Sequence, residues 1–235
     1  MSNWAPKRFW QNAEAVETEG GFTVVLDGRA VKTPAKSALV LPTLAMAKEV
    51  AAEWQAQEGK IRPETMPFTR SANSAIDKVA PQFDEVAGLI AAYGGSDLLC
   101  YRAEHPEALT FRQAEGWDPL LDWADTALSA PLLVTSGIAP IVQPEASTSV
   151  LTQYVQNLTP FQLAGFHDLV AISGSLVLGI AVARGRLDVE EAWALSRIDE
   201  TWQVEHWGHD EEAAESEAVR HAGFAHAGRF FALCG

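Results

Sequence analysis

The sequence predicts an α+β protein, with a small mixed α/β amino-terminal domain of short antiparallel strands over residues 1–80 and a larger, mainly α orthogonal helical bundle over residues 81–235. Three observations lead there. Strand-type alternation around a hairpin turn occurs only near the amino end. Beyond Pro81 the pattern becomes helical, with capping residues ahead of apolar runs. The charge also changes along the chain: residues 1–80 hold 10 Lys+Arg and 9 Asp+Glu, whereas residues 81–235 hold 7 and 22, with no lysine after Lys78.

Phe22 to Leu26 alternates as a strand, Asp27-Gly28 supplies a hairpin turn, and Arg29 to Thr33 can return antiparallel. Ala38 to Leu41 offers a third short strand. Pro42-Thr43 opens an amphipathic helix to about Gln57, with Leu44, Ala47, Val50, Ala51 and Trp54 at helical spacing and Gly59 just past its end. Pro63 and Pro67 force extended chain before a helix that starts near Thr69. Asp118-Pro119 reads as an N-cap with proline at the first helical position, leading Leu120 to Leu128. Leu132–Thr135 and Ile138–Val142 flank Ser136-Gly137 as a small hairpin. Thr159-Pro160 starts a long apolar helix through Val182, closed by Gly185. Asp188 and Glu191 form a capping box that opens the last long helix.

With 235 residues, 48% of them apolar and 20% charged, the chain can bury a substantial core. Its two cysteines, Cys100 and Cys234, are too few for a disulfide scaffold and read as reduced thiols. No apolar segment follows Lys7 and Arg8, so no secretory signal is expected. The apolar stretch Leu169–Ala183 is 15 residues long, short of a membrane span. A net charge of −14, gathered in the second part, repels phosphate backbones and anionic lipid and suits a basic or apolar protein partner, or serves solubility alone.

Neither glycine pattern that cradles phosphate occurs, so no nucleotide or other cofactor is expected. Ser173-Gly174-Ser175 lacks the flanking glycine of a nucleophile turn and reads as tight packing inside an apolar helix. His206, His209 and Asp210 have ligand spacing and define the alternative reading, a metal-dependent enzyme. Against it, His206 and His209 fall on the helix face of Leu195, Ile198 and Trp202, and Gly208 interrupts the helix between them. Asp199 and Glu200 are adjacent, so their carboxylates diverge by about 100° and do not form a catalytic pair. The other stripe of this helix carries Trp193, Ser196, Glu200, Gln203, Trp207 and Asp210. Two tryptophans among acids suit a protein interface, or packing against another helix of the chain. Trp54 likewise closes the core stripe of its own helix.

The order and number of short runs resemble one family. They begin with Arg8-Phe9-Trp10, Val24 to Pro34, Glu53-Trp54-x-x-Gln57, Ile61-x-Pro63-x-x-Met66-Pro67-x-Thr69 and Asp97 to Arg102. They continue with Trp117-Asp118-Pro119, Gly137-Ile138-x-Pro140-Ile141-x-Gln143, Gly174-Ser175-Leu176 and the stretch from Asp199 to Asp210. These are similar to the assembly chaperones that handle the alpha subunit of the ATP synthase catalytic head. The resemblance implies a non-enzymatic protein that binds the free alpha subunit, shields its subunit interface and is displaced by the beta subunit. It also implies the two-part α+β architecture, an important acid at Glu200 and an important tryptophan at Trp54. The residues expected to meet the partner are Glu200, Gln203, Trp207, Asp199, Asp210 and Trp54. Mitochondrial members carry a presequence, and nothing of that kind precedes Arg8, so a bacterial cytoplasmic member is expected, or a processed matrix form.

Overall fold

The computed structural model describes residues 7–208 and 210–235. The chain folds into two compact units. The first comprises residues up to Phe83 together with Thr159–Gly165 and Arg229–Gly235, and the second comprises Asp84–Leu158 and Phe166–Gly228.

The first unit is built on a three-stranded antiparallel sheet of β1 (Ala13–Thr18), β2 (Gly21–Leu26) and β3 (Arg29–Ala30), in that order. The Asp27-Gly28 turn joins β2 and β3 with both residues at positive φ, 47° and 80°. Such a turn matches the right-handed twist of the strands it joins. The Asp27 carboxylate accepts the backbone N–H groups of Gln11 and Asn12, and these bonds hold its pKa below the usual range. Two strand expectations shrink. The return strand is cut to two residues, and Ala38–Leu41 makes only single bridges, Lys32 with Ala38 and Phe22 with Leu41. β1 is not apparent from the sequence, because alanine and glutamate are poor strand formers and hide its alternation.

Helix α1 (Leu44–Gln55) is capped by Thr43, whose hydroxyl accepts the Met46 N–H. It lays Met46, Ala47, Val50 and Ala51 on the sheet, where Val24, Leu39 and Leu41 complete the core. Glu53, on the same helix, accepts the N–H groups of Phe68 and Thr69 and the Thr69 hydroxyl. That carboxylate satisfies free donors at the start of α2 (Pro67–Ser74). Its partial burial raises its pKa despite those bonds.

The second unit is helical apart from a pair of two-residue strands. Helix α3 (Phe83–Ala91) leads to β4 (Tyr101–Arg102), and α4 (Glu107–Leu128) follows. β4 pairs in parallel with β5 (Thr135–Ser136), so the expected hairpin across Ser136-Gly137 does not form. Instead the Gly137 N–H donates to the Arg102 carbonyl, extending the parallel pairing. Asp118-Pro119 does not start a helix either, since Pro119 lies inside α4. A buried stripe of Leu109, Gln113, Trp117, Leu121 and Leu128 runs through it, and burial outweighs the hydrogen bond proline forfeits. Asp118 is used instead as an ion-pair partner 2.8 Å from the buried Arg102.

After α5 (Glu145–Gln156), the long apolar segment is two helices, α6 (Pro160–Ser173) and α7 (Leu176–Ala183), rather than one. The break is Gly174, at φ +75°, followed by Ser175 as the N-cap of α7. Its cause is Asp97, fully buried, which accepts the Ser175 hydroxyl at 2.7 Å and the Val177 N–H at 2.9 Å. The Leu98 N–H in turn donates to the Gly174 carbonyl. Ser173-Gly174-Ser175 is therefore a helix junction, not packing within a helix. Three further helices complete the chain: α8 (Val189–Ser196), α9 (Ile198–Trp207) and α10 (Glu211–Ala232).

Removing the Asp97 carboxylate strands three buried donors. Asp97→Ala is expected to lower the unfolding free energy by about 3 kcal/mol, read from urea denaturation. Burial, outweighing its hydrogen bonds, raises the Asp97 pKa. Stability from this group is thus greatest below the unfolded carboxyl pKa of about 3.9 and is lost as pH rises through the raised value; Asp97→Asn should remove that slope. Burial also pushes Cys100 and Cys234 up to about 12. Native protein should therefore resist iodoacetamide at neutral pH, and both thiols should label once urea unfolds the chain.

Candidate partner-binding site

The last part of the chain forms three helices where one long helix interrupted at Gly208 was expected. The capping box at Asp188 and Glu191 is present and opens α8. The helix then breaks at Arg197, and Gly208, at φ +90°, ends α9. These breaks divide the stripe read from the sequence. Ser196 is buried, and Trp193 packs inward, its ring centroid 5.7 Å from that of Phe224. Glu200, Gln203 and Trp207 follow one another along α9, with Gln203 and Trp207 exposed and Glu200 half-buried.

Helices α8 and α9 are held on α4 by four neighbouring positions. A Cβ at Gly116 would stand 2.8 Å from Ile198 and 2.9 Å from Leu195, so the small residue sets how closely the helices approach. The Trp117 indole donates to the Leu195 carbonyl at 2.8 Å. Buried Gln113 accepts the Ala103 N–H at 2.8 Å and donates to Asp199 at 2.6 Å, joining α9, α4 and the chain after β4. Arg112 grips both oxygens of Glu205, at 2.7 and 3.1 Å. The guanidinium lowers the Glu205 pKa, and the carboxylate raises that of Arg112.

Two open clefts lie either side of the Gln203–Trp207 ridge, both within the second unit. The first, about 790 Å³, is walled by Trp202, His206 and Trp207 on one side and by Pro106, Gly137 and Ile138 on the other. Ile138 is 98% exposed and Trp207 78%. Both line the same cleft, and clustered bare apolar side chains, unlike scattered ones, mark interaction surfaces. The second cleft, about 620 Å³, runs between α9 and α10 and is lined by Glu200, Asp210, Glu217 and Arg220.

Of the residues singled out in the sequence, Asp199, Gln203 and Trp207 line the first cleft, and Glu200, Gln203, Trp207 and Asp210 the second. Trp54 belongs to the first unit. It is half-buried, packs edge-on against Trp10 at 5.3 Å, and its indole N–H is buried without an acceptor among the described residues. Glu200 makes an ion pair at 2.9 Å with Arg197, whose side chain is buried and stacks on Trp193. His206 does not face the core: it is exposed and stacks on Trp202, centroid to centroid at 4.0 Å. The break at Arg197 rotates α9 relative to α8, so a face extrapolated along one continuous helix is displaced.

His209 lies outside the described residues. Among the described residues no three His, Cys, Asp or Glu side chains come together so as to hold a metal ion. The His206 ring nitrogen is also engaged with the Trp202 carbonyl at 2.9 Å. The metal-enzyme alternative is therefore unsupported. Sequence reasoning misses Ile138, Pro106 and the Arg112–Gln113 pair. Ile138 lies in one of the family-like runs but reads as a strand residue, and the others act through contacts distant in sequence.

A family model described as ATP12 chaperone protein matches residues 7–125. Among solved structures, Atp12 from Paracoccus denitrificans superposes with a TM-score of 0.95 at 53% identity, covering 97% of this chain and 98% of that one. A protein from Agrobacterium tumefaciens superposes with a TM-score of 0.93 at 41% identity, covering 98% and 87%. The mitochondrial atp12 protein of Schizosaccharomyces pombe is 27% identical over 221 residues, 89% of this chain and 76% of that protein. The α+β fold is the one these structures share.

The geometry separates a positioning residue from a surface residue. Asp199→Ala leaves the buried Gln113 amide without its acceptor and should cost about 1–3 kcal/mol of stability. Trp207→Ala removes a side chain that is mostly in water and should change stability by less than about 0.5 kcal/mol. Chemical denaturation of the two variants checks the contrast.

Proposed function

Because this chain belongs to the ATP12 chaperone family, the assembly-chaperone family its sequence motifs point to, we propose that it holds the free alpha subunit of the ATP synthase catalytic head and shields its subunit interface until the beta subunit takes its place. The observation that carries the reading is the bare apolar pair of Trp207 and Ile138, which line the same open cleft. An unassembled subunit exposes an apolar interface that drives aggregation until covered, and a surface of this kind can cover it. Glu200, Gln203, Trp207 and Asp210 form the contact surface, and Asp199 sets the position of α9. Trp54 serves either as a second contact on the first unit or as packing for Trp10.

Family membership favours binding over catalysis, and no cofactor enters the role. Among the described residues no helix is long and apolar enough to cross a membrane. The 53% identity to the Paracoccus protein supports reading this chain as a bacterial cytoplasmic member.

Co-expression with separately tagged alpha and beta subunits tests the reading. Wild-type protein should be recovered with alpha and not with beta. Recovery with neither, or equally with both, would overturn the proposal. Trp207→Ala should reduce recovery with alpha about tenfold or more, because an exposed tryptophan anchor carries a large share of binding energy at little cost to the fold.

A further inference from the structure

The two clefts differ in chemistry and share one wall, and that juxtaposition says what kind of segment they take. On one side of the Gln203–Trp207 ridge, Trp202, Pro106 and Ile138 make an apolar cleft. On the other side, four carboxylates, Glu200, Glu205, Asp210 and Glu217, and two arginines, Arg197 and Arg220, line the second cleft. Both arginines have acceptors within the fold: Arg197 meets Glu200, and Arg220 donates to the Ile172 carbonyl. Glu205 is held by Arg112. Among the described residues no ion pair is formed by Asp210 or Glu217, which line the second cleft.

Resting on the reading that this face receives the client, we propose that the two clefts engage one client segment in which an apolar side chain lies next to a basic one. The apolar side chain enters between Ile138 and Trp207. The cation crosses the ridge and settles on the carboxylates of Asp210 and Glu217. The apolar contact supplies affinity through desolvation, while the charge sets which segment is accepted and in which direction it lies. An acidic client segment would be rejected by like charge, and a purely apolar one would leave the second cleft unused.

The test uses the full chain co-expressed with the alpha subunit, with a photo-crosslinking p-benzoylphenylalanine placed at position 138 or, separately, at 207. Mass spectrometry should map both crosslinks to one client stretch of about ten residues containing a lysine or arginine beside an apolar residue. Glu217→Lys should weaken capture about tenfold, and reversing the mapped client cation to glutamate should restore it. Glu217→Gln, which adds no cation beside Arg197, should give a smaller loss. Crosslinks to separate segments or to an acidic segment would overturn the inference, as would Glu217 variants that bind like wild type, while capture of alpha by wild-type protein would leave the broader reading standing. Failure of wild-type protein to capture alpha would overturn both.

Discussion

The second unit is organised by one carboxylate that never meets water. Asp97 satisfies the Leu99 N–H on its own strand of chain and the Ser175 hydroxyl and Val177 N–H at the start of α7. Burying an acid costs free energy, and the donors that fill its oxygens offset part of that cost. The turn that Asp97 fixes runs straight into Tyr101 and Arg102, which line the first cleft. A buried acid thereby fixes the turn from which two residues of the first cleft follow.

From that base the ridge of α9 is positioned by contacts that are each modest. Gly116 permits a close helix crossing, Gln113 bridges two segments, and Arg112 clasps Glu205 at the surface. An exposed ion pair adds little stability, but two hydrogen bonds in one plane restrict how α9 can turn. The outcome is a short helix held rigidly from behind, with its outward residues left free. Preorganisation of this kind reduces the ordering cost that binding would otherwise incur.

Much of this is legible in the sequence, and the failures have a common physical origin. The Asp27-Gly28 turn, the Thr43 cap and the Asp188–Glu191 capping box are local devices, and each forms where its residues indicate. The helix break at Gly174 is invisible because the residue that enforces it lies 78 positions before Ser175. Pro119 misleads for the converse reason, since a buried stripe running past it outweighs a strong local signal. On α9, the exposure of Gln203 and Trp207 agrees with the stripe read from helical spacing, whereas Glu200 is half-buried. The histidine face is not, because the Arg197 break alters the phase of the helix. The membership of Thr159–Gly165 and Arg229–Gly235 in the first unit likewise depends on contacts far apart in the chain.

The uneven distribution of lysine has a practical side. Every lysine lies between Lys7 and Lys78, within the first unit, and the clefts of the second unit contain no primary amine. Reagents directed at amines, whether a fluorophore, a biotin or the coupling chemistry of a biosensor chip, will therefore decorate the first unit and leave the ridge of α9 chemically untouched. The protein comes with a built-in handle for immobilisation that leaves both clefts of the second unit unmodified.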